Sequence, residues 1–338
     1  MLHSVEEVAA MIERGDTLIL AGDAPLLSSL PKGKWIGGCV SRFIENGKTL
    51  LSTRDKIFVQ NLTDIIQNVK FEVYGPLTIR RIYDDAFDNG FSVIIMPPFT
   101  EVANEYSINC TGYSNFAARA VCGWCAVTPL YSEYEQNDES LVYFGKNALP
   151  YDDAAIVMHV ELPADKYAEI HAFSPFKPEG DDVFIFEENG HQVEYALING
   201  KRQNFRQYLL EQDVDRKHDA LIVSRKCLAC EYEGLIMNVA IRAETEKDCG
   251  KYVSLGVPVY KNIPYRFANL DSDLTYEKIK KQFNQNDKIV FSLTCITNYL
   301  CPDVFTKYLT EMNGPFTYGE IAYYLLNNAT VYVTVGNV

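Results

Sequence analysis

The chain is short of positive charge. It sets 31 Lys and Arg against 45 Asp and Glu, a formal net charge of −14 over 338 residues. No basic cluster exceeds patches such as Asp215-Arg216-Lys217-His218. Nucleic-acid binders present a basic face, so no nucleic acid is expected as a partner, and no anionic membrane surface either. Long apolar runs are missing as well. The longest, "FSVIIMPPF" and "AAIVMHV", fall far short of a membrane span. The opening "MLHSVEEVAAMIERGD" has no basic stretch ahead of an apolar one, so no secretory signal is expected. These absences point to a cytoplasmic protein. There is no low-complexity segment, no short-period repeat, no Gly-x-Ser-x-Gly, no Walker loop and no Gly-x-Gly-x-x-Gly. Histidine is scarce, and His3, His159, His171, His191 and His218 form no metal-ligand spacing.

What remains is globular composition, 47% hydrophobic and 22% charged, with length for roughly two domains. Ser4 and Glu7 form a capping-box pattern ahead of the helical stripe Val5, Val8, Ile12, and Gly15 ends that helix. Strands are expected at "TLILAG", "WIGGCVS", "KIFVQNL", "KFEVYG", "FSVIIMPP", "RAVCGWCAV", "LVYFGK" and "AAIVMHVELP". "TIRRIYDDAFDNG" (78–90) predicts a helix with Gly90 at its C′ position, and "APLLSSL" and "TEVANEYSIN" predict two more. The stretch 163–177 turns polar and proline-bearing, which places a boundary there and divides the chain into units 1–165 and 166–338. In the second unit, Asn189-Gly190 predicts a two-residue hairpin turn between alternating runs. "ALIVSR", "LIMNVAIRAE", "YVSLGVPVY", "KIVFSLTC" and "ATVYVTV" predict strands; "FRQYLLEQ", "YEKIKKQF" and "PDVFTKYLTEM" predict helices. The class is α/β (mixed α+β), two packed units with strand-rich sheets flanked by helices.

Nine cysteines without a signal read as reduced thiols. The pairs Cys122/Cys125 and Cys227/Cys230 have Cys-x-x-Cys spacing, but about a hundred residues separate them and each abuts an apolar strand. They read as buried small hydrophobes that bind no metal; a zinc site or a redox pair is the alternative. Cys301, at a predicted helix start, is a candidate reactive thiol, and His159 reads as a satisfied core residue. A triad built on a cysteine stays open, since triads assemble in space. The glycine-containing turn "AGDAPLLSSLPKG" could greet an anion but reads as an ordinary turn.

The C-terminal stretch carries the most specific signal. Cys295, then Gly314, Phe316, Thr317, Tyr318, Gly319, Glu320, then Asn328 and Thr330, follow in the order found in the C-terminal half of the FIST sensory family, and Gly38-Cys39-Val40-Ser41 is similar to a motif of its N-terminal half. The chain resembles a divergent, stand-alone FIST protein. It departs from the pattern at Asn327, at Ala329 and around Thr297-Asn298, where the family has His, Gln and Arg. The resemblance implies binding of a small polar ligand such as an amino acid as the input of signal transduction, a signalling protein as partner, and no enzyme activity. It permits haem, which no particular residue supports, so no cofactor is expected.

The resulting expectation is a non-catalytic, small-ligand-binding sensory protein. Trp35, Gly37, Gly38, Cys39, Ser41, Cys295, Tyr318, Gly319 and Glu320 are expected to converge on one cleft between the two units. Trp35 and Tyr318 would wall it. The glycines would let backbone approach. Glu320 would meet an ammonium or hydroxyl, and Ser41 or a backbone N–H a carboxylate. The alternative is a thiol-dependent small-molecule enzyme, a hydrolase or transferase, with Cys39 or Cys295 as nucleophile.

Overall fold

The first helix, Val5–Glu13, starts where the side chains say it should. The Glu7 N–H donates to Ser4 Oγ at 3.3 Å, and the Ser4 N–H to Glu7 Oε2 at 2.9 Å. Its apolar stripe buries Val8 and Ile12, and Gly15 leaves it at φ +92°. The structure, a computed structural model, describes residues 1–40, 42–45, 48–50, 55–127, 140–212, 227–232, 234–242, 252–284, 286–299, 301, 304, 309 and 312–338. It is a strand-rich mixed α/β fold with several sheets. No described helix is long and apolar enough to cross a membrane.

The first sheet runs Leu2–His3, Ile57–Asn61, Leu18–Gly22, Trp35–Cys39, Val142–Phe144, Leu149–Tyr151. Period-two alternation splits its side chains between two cores. Leu18, Leu20, Trp35, Cys39, Ile57 and Val59 pack with Val8, Ile12, Ala24 and Leu27 of the helices Val5–Glu13 and Ala24–Ser28. Ile19, Ala21, Ile36 and Val40 face the other way, into the main core shared with the second sheet. Gly38 lies on that second face. A Cβ there would sit 2.5 Å from Ile95 Cγ2, 3.0 Å from Ala126 Cβ and 3.2 Å from Trp124 Nε1. The glycine is what lets the two sheets meet.

The second sheet runs Tyr324–Leu326, Glu320–Ala322, Ala120–Cys125, Gly90–Met96, Ala155–Glu161, Asn68–Tyr74. The third runs Lys166–Phe173, Thr330–Asn337, Lys288–Cys295, Gly314–Thr317, Phe43–Glu45, Lys48–Leu50. Each draws strands from both sides of residue 165: the C-terminal strands Glu320–Ala322 and Tyr324–Leu326 lengthen the second sheet, and the N-terminal strands Phe43–Glu45 and Lys48–Leu50 lengthen the third. The expected boundary stretch is itself a strand. Lys166–Phe173 pairs antiparallel with Thr330–Asn337 through eight residue pairs. It is polar because it is half-buried at the sheet's edge, not because it is a linker.

Phe176–Pro178, Phe184–Ile185, Tyr195–Ile198, Lys201–Asn204, Leu228–Tyr232, Leu235–Val239 and Pro264–Leu270 form a seven-stranded sheet, and Gly190–Val193 pairs with Val253–Val259. The hairpin expected at Asn189-Gly190 is corrected here. Asn189 Oδ1 accepts the Lys261 N–H at 2.7 Å, and Gly190 starts a strand paired elsewhere. The two-residue turn sits ten residues on. Ile198 pairs with Lys201 across Asn199 (φ 50°) and Gly200 (φ 81°), both left-handed, the conformation that Asn-Gly hairpins require.

The helix expected over 78–90 is also corrected, to a 3-10 turn at Ile79–Arg81. Its apolar residues Ile79, Ile82 and Tyr83 are buried as the stripe implies. The Asp- and Asn-rich remainder serves other partners. Asp85 Oδ2 accepts from Tyr74 Oη, and Asn89 Nδ2 donates to the carbonyls of Leu162, Pro163 and Lys166. Gly90 is needed for a different reason than capping: at φ +150°, a Cβ would lie 1.9 Å from Val160 O. The expected strand "ALIVSR", most of 131–140, expected as a polar, acidic loop, and most of the expected helix 302–312 lie outside the described residues.

Replacing Gly38 with Val should lower unfolding free energy by about 1–3 kcal/mol through overpacking between the first two sheets, measured by urea denaturation. A change within 0.5 kcal/mol, the range of a surface substitution, would mean the sheets are not held at this contact.

Candidate functional site

The segment 314–320 carries the chain from one sheet to another. Gly314–Thr317 pairs in parallel with the end of Lys288–Cys295 in the third sheet, setting Thr317 beside Cys295. Three residues later Glu320 pairs with Trp124 in the second sheet. Gly319 makes the transfer in little space, since a Cβ there would lie 3.2 Å from Leu325 Cδ1 and 3.4 Å from Cys125 Sγ. Glu320 caps no helix, because Ile321 lies within the strand Glu320–Ala322.

The carboxyl of Glu320 is fully buried. Its Oε1 is 2.6 Å from Thr317 Oγ1, which is 3.2 Å from Thr294 O; its Oε2 accepts the Ala329 N–H at 3.4 Å. The Cys295 thiol also hydrogen-bonds to the carboxyl. Burial pushes the Glu320 pKa from 4.5 up to about 8, and the Thr317 hydroxyl, the Ala329 N–H and the thiol offset only part of that. At neutral pH the group is mostly a carboxylic acid. Thr317 Oγ1, the donor to Glu320 Oε1, also lies within reach of Thr294 O, so the hydroxyl ties the carboxyl to the end of the strand Lys288–Cys295.

Cys295 is buried too, and its thiol is pushed well above its ordinary range, first by burial and then by the negative charge that Glu320 would carry. Thr297 Oγ1 lies 3.0 Å from its sulfur, and the backbone at Thr297 and Asn328 hydrogen-bonds to it, pulling the other way. Asn328, left-handed at φ 53°, extends the network: its Oδ1 accepts from Thr297 Oγ1 at 2.5 Å and its Nδ2 donates to Cys227 Sγ at 3.3 Å. Beside it, Asn298 Nδ2 donates to Thr294 Oγ1 at 3.0 Å, while its buried Oδ1 has no partner among the described residues.

The eight described residues of the nine expected at the site therefore separate. Cys295 and Glu320 are in contact, Gly319 packs under them against Cys125, and Tyr318 is partly buried at the neighbouring small core with Phe316 and Ile296. Gly38 reaches Trp124, the cross-strand neighbour of Glu320. Trp35, Gly37 and Cys39 point to the opposite face of the first sheet: Trp35 Nε1 donates to Pro31 O, and Gly37 packs on the Trp35 ring and Leu20. Strand alternation makes this unavoidable, because residues 35, 37 and 39 cannot share a face with 38. Ser41 lies outside the described residues. Thr317, Thr297 and Asn328 belong to the site and were not among the nine. Thr317 and Asn328 stood within the quoted motif, and Thr297 follows a strand-end thiol by two residues.

His159 is a satisfied core residue: Ser92 Oγ lies 2.7 Å from Nδ1 and Tyr74 Oη 3.0 Å from Nε2. Burial holds its pKa down at about 4. Cys122, Cys125 and Cys230 lie in the main core and Cys227 in the smaller one. Among the described residues, no group of three or more His, Cys, Asp or Glu could hold a metal ion.

A family model matches residues 3–336, almost the whole chain: the family of unknown function DUF6976. The chain belongs to that family. No curated protein matches it. In this DUF6976 chain, Glu320 and Cys295 form the buried titratable centre of the cluster.

The raised pKa of Glu320 has a definite sign in stability. The folded state keeps a proton that the unfolded chain releases above pH 4.5, so this contribution is complete below 4.5 and is lost as pH rises through about 8. His159 and His191, lowered from 6.5 to about 4, act oppositely and at lower pH, losing stability as pH falls. The unfolding free energy of wild type minus that of Glu320→Gln should therefore fall by about 1.4 kcal/mol per pH unit between pH 5 and 8. A flat difference would place an ionised carboxylate in the core. Cys295 should resist iodoacetamide at pH 7.5 until the protein unfolds, read by peptide mapping; fast native labelling would mean its thiol is activated.

Proposed function

We propose that the protein binds a small polar ligand in a sensory role, without catalysis, and that recognition centres on the seam where 317–320 passes between sheets. The observation carrying this reading is the fully buried Glu320 carboxyl, held largely neutral against the Cys295 thiol by segments from three parts of the chain. Strongly perturbed ionisable groups cluster at functional sites. The proton balance favours binding over covalent chemistry. A nucleophilic thiol needs a lowered pKa or a nearby base, and here burial pushes the thiol up and its nearest titratable neighbour is a carboxylic acid. The order Cys295, Gly314, Phe316, Thr317, Tyr318, Gly319, Glu320, Asn328, Thr330 resembles the C-terminal half of the FIST family and supports the same reading.

An amino acid or other small ammonium-bearing metabolite is the ligand class that suits an acid able to ionise near pH 8. A cation draws the carboxylate form, so binding would release a proton. The organisation as two packed units and a signalling protein as partner for the bound state belong to this proposal. A thiol enzyme remains the second reading, carried by the donors from Thr297 and Asn328 aimed at the Cys295 sulfur.

A thermal-shift screen of amino acids and small amines should find a ligand that raises the melting temperature, with a stabilisation of about 2.7 kcal/mol at a hundredfold excess over its Kd. Glu320→Gln should bind that ligand at least roughly tenfold more weakly, as expected for loss of one charge-assisted hydrogen bond. Unchanged affinity in the Gln variant, or an empty screen, would reject the reading. Time-dependent modification of Cys295 by a substrate-like electrophile would establish the thiol enzyme in its place.

A further inference from the structure

The strand Lys166–Phe173 forms one side of the third sheet. The outer strands Leu2–His3, Lys48–Leu50, Leu149–Tyr151 and Tyr324–Leu326 have two or three residues, and a short edge is a common protection against stray pairing. Lys166–Phe173 has eight, all paired on one side with Thr330–Asn337 and without a bulge. The ladder decides which of its backbone groups point outward. The Val338 N–H donates to Asp165 O at 2.8 Å, so Asp165 bonds inward, and alternation gives Tyr167, Glu169, His171 and Phe173 the same direction. Lys166, Ala168, Ile170 and Ala172 then turn their groups outward. Lys166 agrees: its N–H donates to Pro163 O at 2.9 Å and its carbonyl accepts from Asn89 Nδ2 at 3.2 Å, both outside the sheet. The N–H and C=O groups of Ala168, Ile170 and Ala172 have no outward hydrogen-bond partner among the described residues. The side chains of these three residues pack against the main core and are only partly buried. The edge therefore offers unpaired donors and acceptors beside exposed apolar surface.

A second copy of the same strand complements it. Placing Ile170 opposite Ile170 of the second copy, antiparallel, sets Ala168 opposite Ala172 in both directions, and the outward groups meet as hydrogen-bonded pairs. The same register sets Glu169 opposite His171 of the second copy and Tyr167 opposite Phe173. Those are non-hydrogen-bonded pairs, in which side chains come closest. The Glu169 side chain is 46% exposed, and within one chain its Oε2 lies 3.6 Å from His171 Nε2. Pairing thus brings two carboxylates and two imidazoles together in alternation, and an imidazole N–H can donate to a carboxylate. The neighbouring registers are worse. A slip of two residues one way sets the Glu169 carboxylates against each other, and like charges directly opposite destabilise a strand pair. A slip the other way opposes the two imidazoles and takes Ala168 beyond the end of the pairing.

We propose that two copies of the chain join through this edge as a two-fold symmetric dimer. Lys166–Phe173 pairs antiparallel with its equivalent about Ile170, and the two third sheets become one continuous sheet. The interface is isologous, so the pairing closes on itself and leaves no edge to recruit a third chain. It is independent of what Glu320 binds.

Sedimentation velocity on the full chain tests this. As concentration rises through the micromolar range, wild type should pass from 38.3 kDa to twice that mass. Ala168→Pro removes an outward N–H and leaves the bonds to Thr330–Asn337 in place. It should raise the dimer dissociation constant at least about tenfold, with the circular dichroism spectrum unchanged. The register is read by mild oxidation of a Glu169→Cys chain mixed with a His171→Cys chain. Residues opposite in a non-hydrogen-bonded pair lie about 4.5 Å apart at Cα, within reach of a disulfide. The mixture should therefore form a covalent dimer that neither variant forms alone. The proposal is overturned if wild type stays at 38.3 kDa, if a folded Ala168→Pro chain dimerises as wild type does, or if mixing adds no cross-link. The cross-link decides the matter where Ala168→Pro does not fold.

Discussion

A carboxyl group cut off from water must find all its hydrogen bonds in the protein, and the placement of Glu320 follows from that constraint. Its partners come from Thr317 at the end of one strand, Ala329 before another and Cys295 at the end of a third. Each of those strand ends is therefore tied to one point. The third sheet cannot shift along its strands without breaking the acid's contacts, and the second sheet holds the acid by its backbone pairing with Trp124. Trp124 in turn rests on Gly38, so the first sheet is indexed to the same place. A neutral acid suits this role better than a carboxylate, because it can donate as well as accept.

The cysteines illustrate how burial overrides motif. Cys-x-x-Cys spacing in Cys122/Cys125 suggests redox or metal chemistry on paper, yet both thiols are pushed far up by burial and Cys122 donates its weak hydrogen to Ser92 O. Their spacing is that of a strand running between sheets, where small polarizable side chains fill the gap. Cys295 differs from them in having the Thr297 hydroxyl 3.0 Å from its sulfur, while the charge that Glu320 would carry raises both Cys295 and Cys125.

Much of the local structure was legible. The capping box at Ser4 and Glu7, the helix after Thr100, and the strands "FSVIIM", "AIVMHVE" and "KIVFSLTC" all carry periodicity strong enough to survive tertiary context. Legibility failed where local patterns had more than one use. Ile79, Ile82 and Tyr83 are spaced for a helix, but three apolar residues can enter a core from a turn as well. Of the Asn-Gly pairs at 189–190 and 199–200, the second alone has strands that pair across it. Lys166–Phe173 hid because an edge strand is allowed to be polar. At the site, the residues 317–320 announced themselves through an arrangement no ordinary turn needs. Which face of Trp35–Cys39 they would meet depends on the packing of whole sheets, and nothing within seven residues encodes that.

The exchange of strands across the middle of the chain bears on how the molecule is made. Ala120–Cys125 emerges early, but its neighbour Glu320–Ala322 lies nearly two hundred residues downstream. At about 5–20 residues per second a ribosome needs some ten to forty seconds to supply it. Through that interval a nascent apolar strand presents an open row of amides and carbonyls, the feature that invites pairing with other chains. Pairing with Glu320–Ala322 thus closes an edge that opened nearly two hundred residues earlier.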